Sequence, residues 1–315
     1  MALAVLAGAI TVVQSRVNGA MGEIVGNGLL VGLLSFGIGT TTTVILVAMI
    51  PSLRRGLARM LAALRSGRDE RTGMTLHWWH LIGGMGGALF VVSQGISVPL
   101  IGVAIFTVSA VAAQNANSLV VDRIGLGPAG SQPVTRIRVI AACVATIGVV
   151  VSVGDQIGSP DLNVGGLILA LVAGAGVAAQ QAVNGRVAVA ARTSWVAAMM
   201  NFCAGFAAIC LVVALQHFLT STELPSPTDW FQPWMVTGGL MGIVVIVIAA
   251  MTVKELGVLV FALSTIAGQM IAALLLAWLF PVSGQAVSWW LLGGVVLTGG
   301  AAGVATVAKD AKATP

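Results

Sequence analysis

The sequence predicts an all-α integral membrane protein of ten transmembrane helices, arranged as an inverted five-plus-five repeat. Three observations predict it. The 315 residues are 58% hydrophobic and 8% charged, with a mean hydropathy of +1.02. A soluble domain carries roughly 25% charged residues, so the solvent this composition fits is the bilayer. Residues 7–19, AGAITVVQSRVNG, return as residues 173–185, AGAGVAAQQAVNG, with seven of thirteen positions identical. The basic residues then fall almost wholly on one side of a ten-span arrangement.

A span needs about 20 apolar residues. Ten runs qualify: 2–21, 28–50, 78–97, 100–121, 134–153, 164–185, 194–218, 233–252, 256–280 and 287–307. The segments between them are short and rich in Gly, Pro or charge. With the N-terminus cytoplasmic, the inner connections and the C-terminus hold Arg54, Arg55, Arg59, Arg65, Arg68, Arg71, Arg123, Arg136, Arg138, Arg186, Arg192, Lys254, Lys309 and Lys312. These are 14 of the 15 Lys and Arg. The outer connections hold Glu23, Asp155, Asp161, Glu223 and Asp229 and no Lys or Arg. Missing one span would destroy this separation, so both termini are expected in the cytoplasm of a bacterial-type inner membrane. Trp78, Trp79 and Trp195 fall at inner span ends. Trp230, Trp234, Trp278, Trp289 and Trp290 fall near outer ends, as an interfacial belt requires. No cleavable signal is evident, because the N-terminus lacks a basic region and runs directly into the first span.

The first repeat match lies 166 positions apart and continues as Phe36 with Phe202 and Gly39 with Gly205. A second pairs WHLIGG (79–84) with WMVTGG (234–239), 155 positions apart, and continues as Gly102 with Gly257 and Gln114 with Gln269. The offset drops because the connection 51–77 is longer than its counterpart, 219–231. Five spans per half is odd, so the second half, 156–315, starts on the opposite side from the first, 1–155. Inverted repeats of this kind build secondary transporters, with the substrate site near the midplane.

Polar side chains within spans are costly unless they face protein or water. Gln14 and Asn18 are four apart and share a helix face, and Gln180 and Asn184 repeat the arrangement. Ser35 aligns with Asn201. Gln94 adds an amide to the third span. Gln114 and Asn117 share a face of the fourth, and Gln269 occupies its counterpart. These ten residues are the candidate substrate-binding set, read either as lining a neutral central cavity or as interhelical hydrogen bonds. Arg16 points away from Gln14 and lies nearly in line with Glu23, as a rim pair or as an anion-attracting vestibule. No Asp or Glu sits mid-span; Asp122 and Glu255 are at span ends, as are His80 and His217. A buried carboxylate proton relay has no obvious residue here.

Gly83 with Gly87, Gly238 with Gly242, and Gly299 with Gly303 have the spacing that lets helices approach closely. Pro99 and Pro281 punctuate span ends. The stretch 52–65 places Leu53, Leu57, Met60, Leu61 and Leu64 at helical spacing. It reads as an amphipathic helix on the inner leaflet, with Arg54, Arg55 and Arg59 toward anionic lipid, or as a solvated loop. Cys143, Cys203 and Cys210 lie in apolar runs without paired spacing, so neither a disulfide nor a metal site is expected. No cofactor is expected. An ATP-driven pump is excluded, since there is no G-x4-G-K-[ST] motif. The net charge of +5 sets orientation and does not imply nucleic acid. The expected partners are a small-molecule substrate, membrane lipid and at most a second copy of the chain, as monomer or homodimer.

The run Gly8, Gln14, Asn18, Gly19, the Ser35-Phe36-x2-Gly39 that follows, the W-x3-GG of span three and the Gln114, Asp122, Gly125 pattern of span four resemble the YdcZ-type branch of the drug/metabolite transporter superfamily. The resemblance covers roughly residues 5–305, as a fused doublet of half-length members. It implies a ten-helix inverted fold and, by analogy, export of small metabolites. The related small multidrug resistance proteins carry a glutamate in the first helix. This chain has Gln14 and Gln180 at comparable depth, which favours neutral or zwitterionic cargo over cation/proton antiport. A channel-like pore and a non-transporting membrane scaffold are the competing expectations.

The topology is testable by labelling. With the native cysteines removed, a cysteine at Arg59 is expected to react only from inside and one at Glu223 only from outside; the reverse pattern contradicts the orientation.

Overall fold

A computed structural model of the protein describes residues 2–128, 130–131, 133–155, 163–220, 230–280 and 288–310. Asp161, Glu223, Asp229, Pro281 and Lys312 lie outside the described residues, as do the side chains of Arg138, Lys254, Glu255 and Lys309 and the surroundings of Gly257 and Gly303. Helices dominate: α1 (Ala2–Val25), α2 (Gly28–Met49), α3 (Pro51–Ser66), α4 (Gly84–Ile124), α5 (Arg136–Ser152), α6 (Val164–Ala191), α7 (Ser194–Thr220), α8 (Val236–Leu279) and α9 (Trp289–Asp310). Short 3-10 turns, Trp78–Gly83 and Pro233–Met235, lead into α4 and α8. Among the described residues there is no strand, only one isolated bridge, Arg68 with Thr75. Among the described residues, five helical stretches are long and apolar enough to cross a membrane: Ala2–Val25, Gly28–Met49, Trp78–Ile124, Val164–Ala191 and Ser194–Leu219. Shorter apolar helices cover Val139–Ser152, Pro233–Val245, Ser264–Leu279 and Trp289–Ala301.

The sequence separates spans at 78–97 and 100–121, whereas the structure joins them in α4, whose 41 residues would stretch about 60 Å if straight. It is not straight. Gly102 has φ 77 and ψ 156, a backbone conformation that is essentially glycine-only. The contacts with α6 define what happens there. On the first arm, Gly83 lies against Val183 and Asn184, Gly87 against Gln180 and Gly86 against Gly176. At the tip, Leu100 and Ile101 lie against Gly166. On the second arm, Ala110 meets Gly174, Gln114 bonds Gln181, and Arg186 reaches Gly125 and Leu126. Residues 83 and 126 therefore share the C-terminal end of α6, and α4 is a helical hairpin folded at Gly102. Each arm is close to the roughly 30 Å of a bilayer's hydrocarbon. Pro99 does not break the helix where the sequence suggests. The Gly95 carbonyl, which Pro99 cannot bond, lies against Gly22 of α1.

From Ile101 to Ala112 the hairpin is buried on every side, as a helix running through the centre must be. Val98, Ile101, Phe106 and Val108 are buried in one cluster with Ala145 and Val149 of α5, Met270 and Ala273 of α8 and Val295 of α9. A second cluster joins Met21, Val31 and Phe36 of the first half to Phe202, Ile209 and Ile243 of the second.

The 52–65 stretch is helical, and its apolar face is covered by protein. Leu53, Gly56, Met60 and Ala63 are buried, packed on Val187, Ala190, Ala191, Val196 and Met199 at the α6–α7 elbow. Arg54 and Arg55 are exposed. Arg59 turns inward and donates from Nε and one terminal nitrogen to the Ala191 carbonyl, at 3.3 and 3.1 Å, a favourable place for a cation at a helix C-terminus. The following turn is closed by Asp69, which accepts from the Thr72 amide and hydroxyl at 2.9 and 2.7 Å. The Thr72 hydroxyl holds that carboxyl below the usual carboxylate range. The turn presents Leu76, wholly buried, to the cluster beneath α3. Arg186 ties this face together. Its Nε donates to the Leu126 carbonyl at 2.7 Å, and its two terminal nitrogens reach Gly125 at 2.8 Å and Thr75 at 3.1 Å. On α1, Arg16 stands 4.0 Å from Glu23.

Candidate functional site

Two amide clusters form at repeat-related places, and each packs against glycines of the other half. In the first, Asn18 of α1 donates to Gln94 Oε1 at 2.6 Å and accepts from the Ser35 hydroxyl at 3.2 Å. Gln94 donates onward to Ser15 Oγ at 2.7 Å. Asn18, Gln94, Ser15 and Ser35 are all buried to within 2% of full burial. Gln14, one turn away, donates to the Gly238 carbonyl of α8 at 2.8 Å. In the second cluster, Asn201 Oδ1 on α7 accepts from both Gln180 and Asn184 of α6, at 2.6 and 2.9 Å. These two donors are only half-buried.

Glycine makes room for both clusters. A β-carbon at Gly238 would stand 2.6 Å from Asn18 Oδ1, and one at Gly83 would stand 2.9 Å from Asn184 Oδ1. One at Gly242 would stand 3.2 Å from the Gln14 amide nitrogen, and one at Gly87 would stand 2.6 Å from that of Gln180. Gly239 abuts the Ser35 carbonyl, and Gly84 abuts that of Asn201. Gly8 seats the Thr265 carbonyl and Gly174 that of Ala110. In every pair the glycines and their partners are 155 or 166 positions apart, the two offsets of the repeat. The small-residue stripes thus seat polar groups of the opposite half.

Between the clusters lies an aromatic pair. Phe36 and Phe202, themselves repeat mates, meet edge-on with ring centroids 5.3 Å apart. Each ring fills the space above the other's glycine: Phe202 covers Gly39, and Phe36 covers Gly205. Ser35 and Asn201 immediately precede the two rings, so each amide cluster is one residue from the aromatic contact.

The other candidates sit nearby. Gln114 on the second arm of α4 donates to Gln181 Oε1 at 3.1 Å, and Asn117 donates to the Ala175 carbonyl at 2.7 Å. Gln269 is half-buried in α8, its backbone amide beside Gly8. The sequence-derived list omits three members: Ser15, Asn115 and Gln181. Ser15 and Gln181 are each adjacent to a listed amide and are aligned with one another, but a serine facing a glutamine gives no repeat signal. Among the described residues no group of three or more His, Cys, Asp or Glu could hold a metal ion. Chemically, the clusters offer neutral donors and acceptors and no charge.

Comparison with known proteins agrees with this architecture. A family model described as "Putative inner membrane exporter, YdcZ" matches residues 1–151 and again 165–305, once per half. No curated protein matches. A solved chain, described as "Crystal structure of protein", is similar in fold, with a TM-score of 0.54 at 20% identity over 98% of this chain and 96% of that one.

The glycine seats predict a sharp contrast. Gly84→Ala and Gly239→Ala push a methyl group into a backbone carbonyl that has no flexible side chain to yield, and each is expected to cost about 1–3 kcal/mol. Gly300→Ala, in open space on α9, should leave stability unchanged or slightly raised. Thermal unfolding in detergent measures all three.

Proposed function

The chain belongs to the YdcZ family of inner membrane exporters, and from that premise we propose that it moves a small polar metabolite, neutral or zwitterionic, out of the cytoplasm by alternating access. In this reading residues 1–155 and 156–315 are two inverted five-helix repeats, ten spans in all, with both termini cytoplasmic. The observation that carries it is the crossed placement of the amides. Gln14 of the first half bonds α8 of the second, while Gln180 and Asn184 of the second half pack on Gly87 and Gly83 of the first.

Rocking one half against the other must break the Gln14–Gly238 hydrogen bond and lift Gln180 and Asn184 from their glycine seats. An unpartnered amide in an apolar interior costs on the order of 1–3 kcal/mol. A cargo with its own donors and acceptors supplies the missing partners and so lowers the cost of the change. A ligand shifts such an equilibrium only by its difference in affinity for the two states. Amides are suited to this because they donate and accept alike. A cation-selective site would need a carboxylate, and positions 14 and 180 are both glutamine.

The test has two steps. A thermal-shift screen of polar metabolites identifies a ligand, which stabilises by mass action. Its flux into proteoliposomes is then expected to saturate and to show counterflow; linear flux indicates a pore, and absence of flux a scaffold. Replacing Gln14 and Gln180 together by Leu should leave insertion intact and weaken ligand binding roughly fivefold per lost hydrogen bond. Unaltered transport by that double variant refutes the site.

A further inference from the structure

We propose that Gln181, with Gln114 and Asn115, lines a water-filled vestibule opening toward the C-terminal end of α6, where polar cargo binds before it reaches the paired clusters. The proposal rests on the transporter reading only for the word cargo; the vestibule itself stands on the packing.

Gln181 is exposed. It lies ten residues before Ala191, the end of α6, which is roughly 15 Å along the axis. A helix of 28 residues spans about 42 Å, so the outermost 6 Å or so at each end extend past a 30 Å hydrocarbon layer. Gln181 is therefore well inside that layer. A primary amide presented to lipid at such depth is strongly disfavoured, so its surroundings must be protein or water. Its one hydrogen bond, to Gln114, is itself exposed and leaves most of both amides' capacity unused. Asn115, next to Gln114 in α4, is half-buried, and its Nδ2 is a donor with no hydrogen-bond partner among the described residues.

The repeat supplies the contrast that makes this more than a stray polar pair. The positions matching Gln181, Asn115 and Asn117 in the other half are Ser15, Met270 and Ala272. Ser15 is buried and bonded to Gln94. Met270 and Ile271 line an open groove with Leu274, Val296, Gly299 and Gly300, apolar throughout, which is what a lipid-facing surface requires. Gln114 keeps an amide mate, Gln269, but the positions of Gln181, Asn115 and Asn117 carry an amide in one half only. Wetness on one side only accounts for that difference. The first-half quartet, Asn18, Gln94, Ser15 and Ser35, is wholly enclosed and satisfied. First contact with cargo falls instead to the exposed Gln114–Gln181 pair.

The test is accessibility in a variant whose three native cysteines, Cys143, Cys203 and Cys210, are replaced by alanine. A charged, membrane-impermeant methanethiosulfonate and a lipid-soluble maleimide are applied to oriented vesicles. Gln181→Cys is expected to react with the charged reagent from the α6 C-terminal side at least tenfold faster than from the other side. Val172→Cys, exposed on the same helix, should react only with the maleimide. Gln94→Cys should react with neither. If Gln181→Cys behaves like Val172→Cys, or reacts from the opposite side, the vestibule is refuted. If Gln181→Cys does not accumulate, Gln114→Cys carries the same expectation and the same refutation. Labelling needs no transport, so a labelled vestibule in a protein without flux would overturn the transporter reading alone.

Discussion

The structure depends on helices approaching one another closely enough for a polar side chain of one half to reach the backbone or amides of the other. In hydrocarbon, apolar burial does not drive helices together, so packing and hydrogen bonds must. Both need small residues at the contact. Gly8, Gly83, Gly84, Gly87, Gly174, Gly238, Gly239 and Gly242 each seat a group from the opposite half. A methyl group at most of these positions would overlap a carbonyl or an amide. The amides in turn are affordable only because the glycines bring partners within reach. Remove the close approach and Gln14 loses its bond to the Gly238 carbonyl, while Asn18 and Asn201 lose the packing that encloses them.

The two halves use this device alike near the centre and differently away from it. Around Phe36 and Phe202 the glycine seats of one half have counterparts in the other. At the C-terminal end of α6, symmetry is abandoned. Arg186 bonds three carbonyls of the first half, whereas its repeat mate is Ala20. Arg59 adds a second tie across the same end, and the hydrogen bond between Gln114 and Gln181 lies nearby. The contact between halves is thus symmetric at its centre and tied by two arginines at one end.

Much of this was legible in the residues. The repeated Gln-x3-Asn pairs, the aligned phenylalanines and the glycine stripes identify the cluster members, because identical residues kept at two offsets 155 and 166 apart are a signal one chain can carry. What was not legible was partnership. The apolar stripe of α3 is visible as a stripe, yet nothing in 52–65 says that Val187 and Ala190 rather than lipid cover it. Pro99 suggests a break, but the reversal falls at Gly102, where only the backbone angle reveals it. Gln181 and Asn115 escaped notice because their importance lies in the difference from Ser15 and Met270, and a search for likeness passes over differences.

The central claim is that the halves meet through repeat-related contacts about the Phe36–Phe202 pair. A double-mutant cycle of Phe36→Leu and Phe202→Leu, read by reversible unfolding in mixed detergent, tests it most directly. An edge-on pair in contact predicts a coupling of about 0.5–1.5 kcal/mol beyond the two single losses. Additive losses, with no coupling, would mean that the rings do not meet and that the halves are joined some other way.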